Sequence, residues 1–361
     1  MKRRVFLILS AMIVTVVSGC GSVKSNAKYR VVVIPKGLTH EFWQSIHRGA
    51  ERAGADLKDR LGLAVDVKWD GPLEENETQA QLNIIDRNLA GKISGIVLAP
   101  QHSQALIPSV ENAIKQGVPV LIIDSGLASE ADKLIVKYVA TDNYHGGRLA
   151  GEHLIKVLRE AGNPAPRLVL FRYQIGSEST EQREKGFEDY VNSVIEEQKK
   201  AGKPTITWLS TDHYAGATED SAMKEAGPLL NRLRDKQIDA IFAPNESSAA
   251  GMLASLRSLQ MNKKVKLVGF DSSAPLVDAL REGDVEALIL QDPYRMGYLG
   301  VWTLVQYLEG YDVCPDGKHV QSTGENVITR ANINDVATRQ LFDPELQASR
   351  KIEAPTFTKK R

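Results

Sequence analysis

The chain has 361 residues, 42% of them hydrophobic and 25% charged, a composition that excludes a wholly disordered protein and leaves room for two domains. Its 45 Lys and Arg balance 45 Asp and Glu, so no net field draws nucleic acid or an anionic membrane. A small, neutral partner is the expectation.

The chain begins MKRRVFLILSAMIVTVVSGCGS: Lys2, Arg3 and Arg4 precede an apolar run from Val5 to Val17, which is followed by small residues and Cys20. That is the shape of a secretory signal whose apolar run is short for a bilayer span. The ending Val17-Ser18-Gly19-Cys20 resembles a bacterial lipobox, which implies cleavage before Cys20 and lipidation of that residue. The expectation is a lipoprotein signal peptide over 1–19, a lipidated linker over 20–28, and a membrane-anchored lipoprotein in the periplasm or at the cell surface. Cys314 is the only other cysteine, so no internal disulfide is expected once Cys20 is acylated.

From Tyr29 onward, short β-rich apolar runs alternate with longer amphipathic ones. Strands are predicted over 30–35, 64–69, 95–100, 119–124 and 135–141, with helical patterns between them. In EFWQSIHRGAERAGADL, for example, Phe42, Ile46, Gly49, Ala53 and Leu57 recur at three- and four-residue steps and make one apolar face. The pattern then starts again, with strands over 167–173, 204–210, 239–244, 265–271 and 286–291 and helices near 180–197, 218–235, 246–260 and 274–282. A helix near 294–308 and a strand near 325–329 allow the chain to cross back between halves. The fold class expected is α/β: two Rossmann-like lobes with parallel sheets, joined by a multi-strand hinge. The first lobe is assigned 29–141 and 292–324. The second is assigned 142–291 and 325–361, the stretch after Asp335 being a charged surface tail.

In open α/β sheets, ligands sit beyond the carboxyl ends of the strands. Here those ends carry Lys36, Asp124, Asn245, Asp271 and Gln291. Each also has a plain structural reading, since Asp or Asn after a strand commonly N-caps the next helix.

The segments THEFWQSIHRGAERA, PVLIIDS, YVATDNYHGGRLAGEHL, STEQREKGFEDY, IFAPNESSAAGMLASL, KLVGFDSS and ALILQDPYRMG, in that order and spacing, resemble the periplasmic sugar-binding proteins of bacterial ABC transporters. The ribose-binding type, a type I periplasmic binding protein fold, is the nearest pattern. The resemblance implies that Phe42 and Trp43 stack on a sugar ring and that His40 makes a polar contact. It also implies that Asp124, Arg183, Asn245, Asp271 and Gln291 bind hydroxyl groups. Aromatic planes suit the C–H faces of a sugar, and carboxylates, guanidinium and amides suit its hydroxyl rim.

There are departures from the pattern. Ser125 stands where the ribose type has an arginine, and Lys36 in IPKG is similar to rhamnose- and autoinducer-2-binding relatives; both are expected ligand contacts, which brings the expected set to ten. The second-lobe aromatic has only His213 or Tyr214 as candidates. Thr141 with Asp142, and Gln291 with Asp292, lie at the expected hinge crossings. Asp271→Ala and Arg183→Ala are expected to remove binding and leave the stability of the free protein nearly unmoved.

No His-Glu-x-x-His, G-x-S-x-G or Walker-type loop occurs, and GGRLAG (146–151) lies inside a helical pattern where close packing explains its glycines. The expectation is a monomeric, non-enzymatic solute-binding protein, without cofactor, metal or nucleic acid, that delivers a sugar or polyol to an ABC permease. The alternative is a sensing subunit that presents a sugar or autoinducer-2-like signal to a membrane receptor.

Overall fold

Val31, Val32, Val33 and Ile34 are all completely buried, so this strand has no solvent face and must be covered on both sides. The computed structural model describes residues 27–128, 133–315, 317 and 319–360; the expected signal peptide and Cys20 lie outside them.

The first run of elements is β1 (Tyr29–Ile34), α1 (Glu41–Leu61), β2 (Val65–Trp69), α2 (Thr78–Leu89), β3 (Gly95–Leu98), α3 (Ile107–Lys115), β4 (Val120–Ile123) and β5 (Tyr138–Ala140). After it come α4 (Asn143–Glu160), β6 (Arg167–Arg172), α5 (Glu178–Lys200), β7 (Thr207–Tyr214), α6 (Glu219–Leu233), β8 (Ala240–Phe242), α7 (Glu246–Ser258), β9 (Lys266–Phe270), α8 (Ala274–Glu282) and β10 (Ala287–Gln291). The chain then returns through α9 (Pro293–Leu308), β11 (Tyr311–Asp312), β12 (Val320–Ser322), β13 (Glu325–Ile328), α10 (Val336–Arg339), α11 (Pro344–Ser349) and β14 (Thr358–Lys359).

Two six-stranded sheets result, ordered β12-β5-β4-β3-β1-β2 and β13-β10-β9-β8-β6-β7. The orders correspond strand for strand, so each position in one lobe has a counterpart in the other. All pairings in the first sheet are parallel; in the second, β13 runs antiparallel to β10. Apolar clusters cover both faces of each sheet, as near-continuous apolar strands require. This is the two-lobed α/β architecture that the sequence leads one to expect.

Helix pairs seal each lobe, α1 on α9 and α4 on α5, and each pair touches backbone to backbone at glycines. A methyl group added at Gly49 would fall 1.9 Å from the Tyr294 carbonyl oxygen, and one at Gly147 would fall 1.9 Å from that of Arg183. The glycines of GGRLAG thus serve helix packing, and one of them seats the backbone of Arg183.

The end of the chain departs from the expected placement. Leu341 and Phe342 pack on the second lobe, but Gln347 bonds to Ser45 and Arg48 of α1, and β14 pairs antiparallel with β11. Ile352, Ala354 and Phe357 lie against the first-lobe core. The tail is therefore a strap that leaves the second lobe and ends on the first, because its spaced apolar residues find cover there.

Candidate functional site

The expected strand ends meet between the lobes. After β1, the Lys36 ammonium lies 3.0 Å from the Asp124 carboxylate at the end of β4, and both side chains are buried. Lys36 also donates across the cleft to the hydroxyls of Ser177 (3.2 Å) and Ser179 (3.0 Å) at the start of α5. In the second lobe, Arg183 stands 3.4 Å from Asp271, which occupies the counterpart of the Asp124 position. Its guanidinium also donates to Asn143 Oδ1 (2.9 Å) and the Pro244 carbonyl (3.0 Å), and it lies 3.8 Å from the centre of the Phe270 ring. One ion pair from each lobe thus faces the same gap.

A third charged group spans the lobes. His40 and Glu75 are 2.6 Å apart, and the same carboxylate accepts from Trp43 Nε1 (2.8 Å) and from the Tyr173 hydroxyl (2.9 Å) of the second lobe. Burial alone raises a carboxyl group's pKa, but the charge and hydrogen bond of His40 outweigh it, and Glu75 is held at about 2. Burial likewise lowers His40, and Glu75 overrides that to bring the imidazole to about 9. The pair is ionised at neutral pH. Glu246 accepts from the backbone N–H groups of Phe42 (3.3 Å) and Glu41 (3.4 Å) at the N-terminus of α1. These bonds are long, so burial dominates and pushes it up to about 7. Burial also raises Asp271, with Arg183 and Gln291 pulling the other way.

Eight of the ten expected ligand residues line one cavity: Lys36, His40, Phe42, Trp43, Asp124, Arg183, Asn245 and Asp271. The other two do not. Ser125 is turned away, its hydroxyl accepting from the Ser179 backbone N–H at 3.0 Å. Gln291 lies behind Asp271, donating to it at 2.6 Å and accepting from the Thr141 hydroxyl at 2.6 Å, so it positions the carboxylate from the hinge. Neither His213 nor Tyr214 reaches the cavity. His213 stacks on Phe171 and pairs with Glu225, and the second-lobe aromatic that does reach the cleft is Tyr173.

Phe42 and Trp43 meet edge to face at 4.9 Å and belong to the first-lobe core as well as to the cavity wall. Asn245 N-caps α7 through its bond from the Ser248 N–H, so its plain reading and its cavity position both hold. Asp142 and Asp292 N-cap α4 and α9 at the two expected crossings, and Thr323–Gly324 between β12 and β13 makes a third.

Sequence reasoning missed Glu75, Glu246 and Tyr173. Tyr173 follows β6 directly, so the strand-end rule applied to RLVLFRY would have found it. Glu75 lies in the loop PLEENET, which no strand or helix pattern marks.

The cavity itself is about 20 Å³, roughly the space of one water. Cross-lobe bonds hold it tight: Gly126 N–H to Glu178 (2.8 Å), Ser103 N–H to the Gly176 carbonyl (2.9 Å) and Gln174 to the Glu75 carbonyl (3.1 Å). Admitting a ring requires the lobes to part and the charged pairs to exchange partners.

Residues 31–312 match the family described as periplasmic binding protein domain. The chain is 27% identical to a D-ribose/D-allose-binding protein of Pseudomonas aeruginosa, over 78% of this chain and 83% of that one. It is 26% identical to the ribose import binding protein of Escherichia coli, over 84% and 93%. Among solved structures, a carbohydrate transporter solute binding protein from Agrobacterium radiobacter, in complex with D-arabinose, is 30% identical with a TM-score of 0.75, covering 88% of this chain and all of that one. An ABC transporter solute binding protein from Agrobacterium vitis, with bound D-fucose, is 27% identical with a TM-score of 0.76, covering 87% and 99%. With its paired sheets, its crossings at the strand ends and a match over most of its length, the chain belongs to the periplasmic binding protein family, type I fold.

Proposed function

We propose that this protein captures a sugar between its lobes and delivers it to an ABC permease, held at the membrane by a lipid on Cys20. The observation that carries the reading is the pair of mirrored ion pairs, Lys36–Asp124 and Arg183–Asp271, facing one gap. Sugar hydroxyls both donate and accept, so they can replace each half of such a pair without leaving a buried charge unmatched. Groups from both lobes then contact one ligand. The differential affinity so produced favours the closed state, which is what hinge closure requires. The named relatives bind ribose, allose, arabinose or fucose, which supports a monosaccharide unit as the recognised part. The leader sequence and the import role in the relatives' names support delivery to a permease.

Thermal unfolding in the presence of pentoses, hexoses and deoxyhexoses tests this. A sugar at 100 times its Kd stabilises by about 2.7 kcal/mol, and Asp271→Asn abolishes that shift. The reading fails if no sugar in the panel raises the midpoint, or if Asp271→Asn responds as the parent does.

A further inference from the structure

Beside the charged gap lies a second cavity of about 510 Å³, with Phe42 and Asp271 forming part of the wall of both. Ligand pockets commonly occupy about 300–1,000 Å³, so this space, unlike the 20 Å³ gap, is already of ligand size. Four parts of the molecule line it: Phe42 of the first lobe, Val277 and Leu290 of the second, Pro293 at the hinge, and Leu341 and Phe342 of the tail.

Its charged lining groups are already engaged. Glu41 accepts from the Ala274 N–H at 3.2 Å, Arg48 donates to Gln347 and Ser45, Arg281 pairs with Asp278, and Asp343 pairs with Arg339. An ionic ligand finds no unmatched partner among them. The Ser273 hydroxyl, only 7% of its residue exposed, has no hydrogen-bond partner and lies in this wall. The occupant that fits is mostly apolar and uncharged.

We propose that the ligand is a glycoside, with its sugar ring in the charged gap and an apolar aryl or alkyl substituent in the neighbouring 510 Å³ cavity. This rests on the sugar-binding reading and narrows its ligand class. Phe42 and Asp271 stand between the two spaces, so a substituent on the ring reaches the larger cavity once the lobes part and these two side chains shift.

Calorimetric titration of the full chain with D-ribose, D-arabinose, D-fucose and D-allose, each as the free sugar and as its phenyl glycoside, tests the idea. The phenyl form is expected to bind about tenfold tighter than the free sugar. Ala274→Trp, at an exposed residue lining only the larger cavity, removes that gain and leaves the free sugar's affinity within about twofold. Leu341→Trp, which fills the same space from the tail, serves as an independent second variant. Free sugars that bind while their phenyl glycosides gain nothing overturn the glycoside inference and leave sugar binding standing. A phenyl advantage that survives both tryptophan variants also overturns it. Absence of binding by every probe overturns the sugar reading itself.

Discussion

Asp124 and Asp271 end equivalent strands with φ of 63° and 67°, in the left-handed region where an L-residue is strained. Such residues persist where the surroundings over-determine them, at a cost on the order of 1–3 kcal/mol. Here the turn aims each carboxylate across the strand ends toward its cation. The same geometry corrects an expectation from sequence. Arg183 and Asp271 are both buried, so Arg183→Ala leaves Asp271 unpaired and is expected to cost the free protein about 3–5 kcal/mol; urea unfolding measures this. The stability of the free protein is thus not indifferent to its binding residues.

The buried ionisable groups also set a pH profile. His40 rises from its ordinary 6.5 to about 9, so its stabilisation is full below 6.5 and is lost as pH climbs through 9. Glu75 falls from 4.5 to about 2, so its contribution is full above 4.5 and is lost as pH drops through 2. Both are at full strength between about 4.5 and 6.5. Glu246, raised from 4.5 to about 7, works the other way, because its ionisation costs stability as pH increases over that range. Thermal midpoints should therefore decline from about pH 4.5 to 7 and fall again toward 9. Asp271, Glu178 and Glu184 are raised by burial as well, so Glu246→Gln is expected to make the first decline shallower and to leave the second; superimposable profiles for parent and variant would sink the assignment.

At the level of elements, helix pairing through glycine gives a sharp contrast. Gly147→Ala drives a methyl group into the Arg183 carbonyl, with an expected loss of about 1–3 kcal/mol or more. Gly227 in α6 has nothing within 4 Å of the same added atom, so Gly227→Ala should gain up to about 1 kcal/mol from helix propensity. Denaturant midpoints moving together in one direction would refute the close-contact account.

Elements were also the most legible part of the sequence. Continuous apolar strands and 3.6-residue helices have strong periods, so both lobes could be read in order. Strand ends were legible as places, but the role of each residue was not: Asn245, Asp142 and Asp292 turned out to be helix caps, whereas Asp124 and Asp271 cap nothing and bend into the cleft. Both roles favour the same residue types. The spacing that separates them is set by tertiary contact, as is the loop position of Glu75.

For the whole molecule, the tail changes what opening involves. Leu341 and Phe342 hold the strap to the second lobe, while on the first-lobe side Arg350 pairs with Asp292 at 2.6 Å and Trp302 Nε1 donates to the Pro355 carbonyl at 3.3 Å, so parting the lobes loads the strap between these anchors. Removing residues 344–361 is expected to lower the thermal midpoint and to enlarge the radius of gyration of the sugar-free protein in small-angle scattering. An unchanged radius would mean that the tail does not restrain the lobes. Nothing in the tail's sequence announced this, because its apolar residues are separated by prolines and charges and follow neither period.

Among the described residues the polypeptide passes between the lobes at Thr141–Asp142, at Gln291–Asp292, at Thr323–Gly324 and again in the stretch from Phe342 to Gln347. Cutting one of these passages leaves the others intact. A protease that nicks the molecule once at such a place should therefore yield two fragments on a denaturing gel and a single particle in solution, the severed pieces still held in register.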